Sequence, residues 1–293
     1  MTPVRLGVHP VDFGPRGRDP RAVARDLRDV ARAADDGGLD HVYLMDHFLG
    51  LDFRQPADSA IPEGYVSLGY LAALTERVRL GLLVTGVTYR HPGILAQQVA
   101  TLDAVSGGRA VLGLGAAWYE REHRAMGVPF PPLAERFERL DESLRLIKQL
   151  WSPDDGPFDG VHYRLAETIC EPRPVQPGGP PVLVGGGGER KTLRLVAQHA
   201  DAGNLICQGP ESLDEVAHKL GVLDAHCADV GRDPAEVART LLYLGDPFDP
   251  AFRPAMDRAA ALGVSAVTVA VYDNPAAATE RLAAVAVDGG ASP

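Results

Sequence analysis

The chain has 293 residues, 45% of them apolar, and carries a formal charge of −10. That length supports a large buried core, and an α/β barrel of roughly 250 residues folds as one unit. The acidic balance argues against nucleic acid and anionic membrane surfaces as partners, because it repels phosphate, and leaves a small-molecule substrate as the expected partner.

The opening segment MTPVRLGVHP has no long apolar run and passes at once into strand-like sequence, so no signal peptide is expected. Aliphatic or β-branched runs at 4–9, 41–45, 78–85, 110–115, 182–185, 202–206, 239–244 and 265–271 predict eight strands. Such near-continuous runs mark parallel strands buried on both faces. Helical patterns fall at 20–36, 64–76, 92–106, 132–151, 189–200, 212–231, 252–262 and 275–287. Regular alternation with eight strands predicts an α/β fold, a (β/α)8 TIM barrel forming one domain over residues 1–293; a doubly wound open sheet is the other architecture.

Punctuation supports these boundaries. Pro92 suits the first turn of its helix. Gly37-Gly38 and Gly107-Gly108 read as C-terminal caps. Phe137, Leu140, Leu144, Ile147 and Trp151 recur every three or four residues, a core-facing stripe whose aromatics are assigned to packing. Residues 152–180 break the rhythm as a short insertion after the fourth strand and helix. Within it Asp159-Gly160 reads as a hairpin turn, and EPRPVQPGGPP as an extended connector. Cys170, Cys207 and Cys227, odd in number and widely spaced, suit neither a disulfide framework nor a zinc site. They read as buried small hydrophobes in a reducing compartment, which predicts a cytoplasmic location. No run approaches the ~18 apolar residues of a membrane-spanning helix.

Polar residues at the C-terminal strand ends of such a barrel face the active site. The second strand ends in VYLMDHF, presenting Asp46 and His47; histidine is the side chain suited to moving a proton near neutral pH, and an ordinary loop pair is the alternative. His9 ends the first strand and is the second histidine placed to meet substrate. The third strand ends in Thr85 and Gly86, followed by Arg90 and His91, which read as polar loop residues before a proline-started helix. In the fourth strand and just after it, Gly113, Gly115, Ala116 and Ala117 leave room for a flat ring to approach the backbone, although tight barrel packing also accounts for Gly113. Trp118, Tyr119 and Glu120 stand at the mouth, with Trp118 toward substrate and Glu120 as a carboxylate candidate for catalysis. After the fifth strand, Gly185, Gly186, Gly187 and Gly188 precede a helix read from Glu189, an arrangement that attracts phosphate, with Arg190 and Lys191 adding charge. A tight turn with positive φ needs only one of the four. No metal-binding motif is present, and His218 and His226 read as solvated.

Taken in order, MDHF, VTGVTYRHPGILAQQVATLDAVSGGR, LGLGAAWYEREHRAMGVPFPPLAERFERL and PVLVGGGGERKTLRLVAQHADAGNL resemble the luciferase-like monooxygenase superfamily over about residues 4–270, and most closely its branch that uses the deazaflavin F420. The resemblance implies a homodimeric eight-stranded barrel holding F420, with FMN as the alternative cofactor. It implies His47 as proton donor or acceptor, Asp46 at the cofactor, and Gly185–Gly188 at its phosphate. It also implies a non-prolyl cis peptide within Leu82–Val84 that sets Leu83, Val84 and Thr85 behind the ring. Many relatives carry G-W-N-E where this chain has Ala117-Trp118-Tyr119-Glu120, so Tyr119 replaces an asparagine that meets the cofactor. The expected activity is hydride transfer to or from a small organic substrate. A reduced-FMN monooxygenase and a non-catalytic flavin-binding barrel are the alternatives. The pocket is expected to be walled by the loops 10–19 and 49–63 and the insertion 152–180.

Overall fold

A computed structural model describes residues 4–288. Its elements in chain order are β1 (Arg5–Pro10), α1 (Pro20–Asp36), β2 (His41–Leu44), α2 (Gly64–Ala72), β3 (Arg79–Leu82), β4 (Thr85–Gly86), α3 (Pro92–Ser106), β5 (Ala110–Gly115), α4 (Glu120–Met126), α5 (Leu133–Leu150), β6 (Phe158–Asp159), β7 (Arg164–Leu165), β8 (Val182–Gly185), α6 (Thr192–His199), β9 (Ala202–Cys207), α7 (Leu213–Asp229), β10 (Ala238–Tyr243), α8 (Phe252–Ala261), β11 (Val264–Val271) and α9 (Pro275–Asp288). β1 pairs with both β2 and β11, and the ladder closes through β3 and β5, every pairing being parallel. β4 resumes the third strand after Leu83-Val84, whose peptide bond is cis. The result is a closed eight-stranded barrel ringed by helices, not an open sheet.

Local chemistry explains the boundaries. The Asp19 side chain accepts from Arg21 N–H ahead of α1, and His91 Nδ1 accepts from Gly93 N–H ahead of α3. Gly107 ends α3 at φ 69°, where a side chain would be strained. Two helices are shorter than the sequence pattern suggests: α2 stops at Ala72, and α6 opens at Thr192 rather than Glu189. α4 is an additional helix that the pattern did not indicate.

At the N-terminal end of the barrel, His41 lies inside, stacked on Tyr43 at 4.2 Å and bonded to Thr268 Oγ1 at 2.7 Å. Gly7 makes that possible, since a Cβ there would lie 2.2 Å from the imidazole. The carboxylate of Asp35 accepts N–H groups of Glu76, Arg77 and Val78 and ties α1 to the start of the third strand. Leu140, Leu144, Ile147 and Trp151 pack into the core as their spacing predicts, and all three cysteines are buried and free.

The insertion forms a small antiparallel hairpin, β6 with β7. Its loop runs over Gly160–Tyr163 rather than turning on Asp159-Gly160. The carboxylate of Glu142, on α5, accepts N–H groups of Val161, His162 and Tyr163, so a side chain outside the hairpin sets the loop. Among the described residues no helix is long and apolar enough to cross a membrane.

Candidate active site

A cavity of about 420 Å³ opens at the C-terminal ends of the strands. Its floor is Leu83, Val84 and Thr85, flanked by Gly115, Ala116, Gly185 and Gly186. The glycines are needed there: a Cβ on Gly115 or Gly185 would lie 2.7 or 2.8 Å from Val84. Gly113 belongs to barrel packing, because a Cβ on it would meet the Leu82 carbonyl at 2.0 Å.

His9, Asp46, His47 and Trp118 also line this cavity. The Nδ1 of His47 lies 3.0 Å from Glu122 Oε2. A carboxylate only accepts, so Nδ1 carries the proton and Nε2 of the neutral ring holds the exchangeable lone pair. Glu122 is fully buried, and its other oxygen accepts N–H groups of Phe48 at 2.5 Å and Leu49 at 2.8 Å. The Tyr89 hydroxyl donates to the same oxygen as His47. Burial alone would raise the Glu122 carboxyl, but His47, Tyr89 and Phe48 outweigh it and hold the group below the usual carboxylate range.

Asp46 serves a different arrangement. Both of its oxygens accept from Arg90 Nη1, at 2.9 and 2.7 Å, and one accepts from Gly86 N–H at 3.1 Å. Arg90 Nη2 continues to Glu63 Oε1 at 2.6 Å. Burial raises the Asp46 carboxyl and Arg90 opposes it; Arg90, set between two acids, is held firmly charged. Asp46 therefore clamps β4 to the end of β2. Arg90, which the sequence alone reads as an ordinary loop residue, is part of that clamp. Thr85 is fully buried, its hydroxyl 2.8 Å from that of Tyr65. His9 bonds the Tyr43 carbonyl at 2.9 Å, and burial lowers it to about 4, so it is neutral near pH 7.

Several expectations do not hold. Glu120 faces solvent and pairs with Arg124, and the carboxylate beside the histidine is Glu122, two residues further into α4. Tyr119 stays out of the cavity, packed beneath the loop after β2 with its hydroxyl 2.7 Å from Asp52 Oδ2. The insertion 152–180 contributes nothing to the wall, which instead takes Leu133 and Phe137 from α5 together with Ile206, Leu242 and Leu244. Phe137 thus lines the cavity rather than only packing. Ala117 adopts φ 57°, a left-handed conformation that glycine takes with less strain.

The glycine turn is also more selective than its composition suggests. Only Gly186 has positive φ (125°), and its N–H is committed to the Asn204 carbonyl at 3.0 Å. The N–H groups of Gly187 and Gly188 make no hydrogen bond to any described residue. The ammonium of Lys219, on α7 and paired with Glu215 at 2.5 Å, lies beside Gly187, where a Cβ would sit 2.9 Å from it. Arg190 and Lys191 point away, into a separate cavity beside Glu138 and Arg145. His218 and His226 are not merely solvated but bond Glu189 at the end of the turn.

A family model described as luciferase-like monooxygenase matches residues 6–246. An F420-dependent glucose-6-phosphate dehydrogenase of Kineococcus radiotolerans is 37% identical over 231 residues, covering 77% of this chain and 65% of that protein. The Amycolatopsis mediterranei protein of the same name is 36% identical over 199 residues, covering 67% of this chain and 57% of its own. The chain thus spans less than two-thirds of the length of these relatives. Among solved structures, a monooxygenase from Streptomyces bottropensis aligns with TM-score 0.79 at 20% identity, covering 98% of both chains. An F420-dependent secondary alcohol dehydrogenase in complex with an F420–acetone adduct aligns with TM-score 0.79 at 17% identity, covering 98% of this chain and 99% of its own. At those identities the structural likeness speaks for the fold alone. Its closed parallel barrel and the match over most of its length place the chain in the luciferase-like monooxygenase family.

Proposed function

We propose that the protein is an F420-dependent oxidoreductase that moves a hydride between the deazaflavin and a small organic substrate. The observation that carries this reading is the His47–Glu122 pair beside a cavity whose floor, Leu83–Thr85, is flanked by bare glycine backbone. A cavity of about 420 Å³ falls within the range of small-molecule sites. The curated relatives, named for F420-dependent glucose-6-phosphate dehydrogenation, support the cofactor.

The residues present fit such a group. Val84 and the bare backbone of Gly115 and Gly185 give a flat ring a surface to lie on. Gly187 N–H, Gly188 N–H and Lys219 suit its phosphate. Bound F420 supplies the hydride when reduced and accepts one when oxidised, which is the hard chemistry; the protein supplies position and protons. His47 exchanges the accompanying proton through Nε2, donating it as substrate is reduced and taking it back in the reverse direction. Glu122 holds the ring in that tautomer and stabilises the imidazolium when it forms. Asp46 and Arg90 fix the end of the third strand under the ring. A homodimer in the cytoplasm is part of the same proposal.

The test is a spectroscopic titration of the protein with F420, then anaerobic mixing of the reduced complex with carbonyl substrates while the deazaflavin absorbance is followed.

A further inference from the structure

The upper wall of the cavity is unlike its floor. Phe53, Trp118, Leu133 and Ile206 rim the mouth and are 68%, 54%, 56% and 54% exposed. They come from four separate elements: the loop after β2, the approach to α4, the start of α5 and the end of β9. Phe53 and Trp118 face each other at 6.0 Å. Leu244 and Tyr272 complete the rim. Large apolar side chains converging on one opening mark a surface that a ligand covers.

The charges at the cavity are already spent. Asp46 is held by Arg90, and His47 by Glu122. His9 is neutral near pH 7. Among the described lining residues that leaves Arg54, whose guanidinium lies over the Tyr272 ring, 4.7 Å from its centroid. A phosphate dianion is recognised by several converging cations or N–H donors. One guanidinium spread over a ring does not provide them.

Resting on the hydride-transfer reading above, we infer that the substrate is an uncharged, predominantly apolar carbonyl compound or the corresponding alcohol, and not a phosphorylated sugar. The reacting oxygen is its only polar part and is directed to His47. Its hydrocarbon body is covered by Phe53, Trp118, Leu133 and Ile206. In the reductive direction the carbonyl carbon accepts the hydride and the imidazolium form of His47 gives its Nε2 proton to the oxygen, returning to the neutral tautomer that Glu122 holds. Two electrons leave the reduced cofactor, and the ketone becomes a secondary alcohol.

The test is isothermal titration of the protein, with and without F420, against methyl ketones of four, six and eight carbons and against glucose 6-phosphate. A buried methylene is worth a factor of about four in affinity, so Kd is expected to fall by roughly an order of magnitude at each two-carbon step. Binding should show a negative heat-capacity change. Phe53→Asp, at an exposed position where folding tolerates the change, should flatten that dependence. A Kd that ignores chain length, or tighter binding of glucose 6-phosphate than of the eight-carbon ketone, would overturn the inference. Titration of F420 itself is read separately: a failure there removes the hydride-transfer reading and leaves the chain-length result to stand or fall alone.

Discussion

His47 donates its Nδ1–H to Glu122 Oε2 at 3.0 Å across 75 residues of sequence, joining the end of β2 to the first turn of α4. Two further donors on the segment after β2, the N–H groups of Phe48 and Leu49, end on the same carboxylate. The histidine is therefore oriented from both its backbone and its ring. Removing the imidazole by His47→Ala should leave F420 binding nearly intact and cut turnover by roughly 10²–10⁴-fold, the usual worth of a positioned acid or base. Steady-state kinetics beside a binding titration checks this, and near-normal turnover would remove His47 from the mechanism.

Glu122→Gln keeps the size of the side chain but puts an amide nitrogen, which cannot accept, among four donors. At least one buried donor is left unpaired, at a cost of about 1–3 kcal/mol in urea unfolding. Turnover should fall as well, because the histidine tautomer is no longer specified. The wild-type carboxyl lies below its ordinary value of 4.5, so its stabilisation is complete above that pH and is lost as pH falls through the lower, folded-state value. The difference in stability between wild type and Glu122→Gln should therefore shrink in acid. A constant difference down to pH 2 would contradict the assignment.

His9 predicts a separate pH window. Its folded value of about 4 lies below the ordinary 6.5, so above 6.5 neither state is protonated there and nothing is lost. As pH falls from 6.5 toward 4 the unfolded chain takes up a proton that the folded protein refuses. Stability should drop by about 3 kcal/mol over that range from this residue. His9→Gln should remove one proton from the slope, as measured by unfolding midpoints at a series of pH values. An unchanged slope would show that His9 is not held neutral.

At the glycine turn the structure separates two effects that the sequence runs together. Gly186→Val places a β-branched residue at φ 125° and should cost stability directly. Gly187 has no such backbone demand, and its neighbour is the flexible end of Lys219. Gly187→Val should therefore keep the unfolding midpoint close to wild type while weakening F420 binding by about tenfold or more. Lys219→Met should also weaken it and reduce its dependence on salt. Wild-type affinity in both variants would reduce the glycine run to a turn.

The barrel was legible because each strand is buried on both faces and so is written as an aliphatic run, eight times over. The histidine was legible because it ends such a run. Its partner was not. α4 is seven residues long, and Tyr119, the residue just before it, offers no side-chain cap, so EREHRAM shows neither a start signal nor a clear apolar stripe. The one available mark was Gly127, which ends it at φ 68° and would have brought Glu122 inside a helix. Lys219 and Arg90 are hidden for another reason. Arg90 binds Asp46 and Glu63 from distant segments, and Lys219, paired with Glu215 one turn away, reads locally as an ordinary surface i,i+4 pair. The hairpin turn is not legible locally because Glu142, 19 to 21 residues before the N–H groups it binds, sets the loop.

A deazaflavin hydride-transfer site is distinguished from a flavin one by titrating the protein with F420 and with FMN. Each complex is then reduced and mixed with substrate, with and without oxygen. F420 should bind more tightly, and substrate should reoxidise the reduced complex under anaerobic conditions with no oxygen requirement. Equal or stronger FMN binding, with oxygen consumed on reduction, would contradict this and make the protein a flavin monooxygenase.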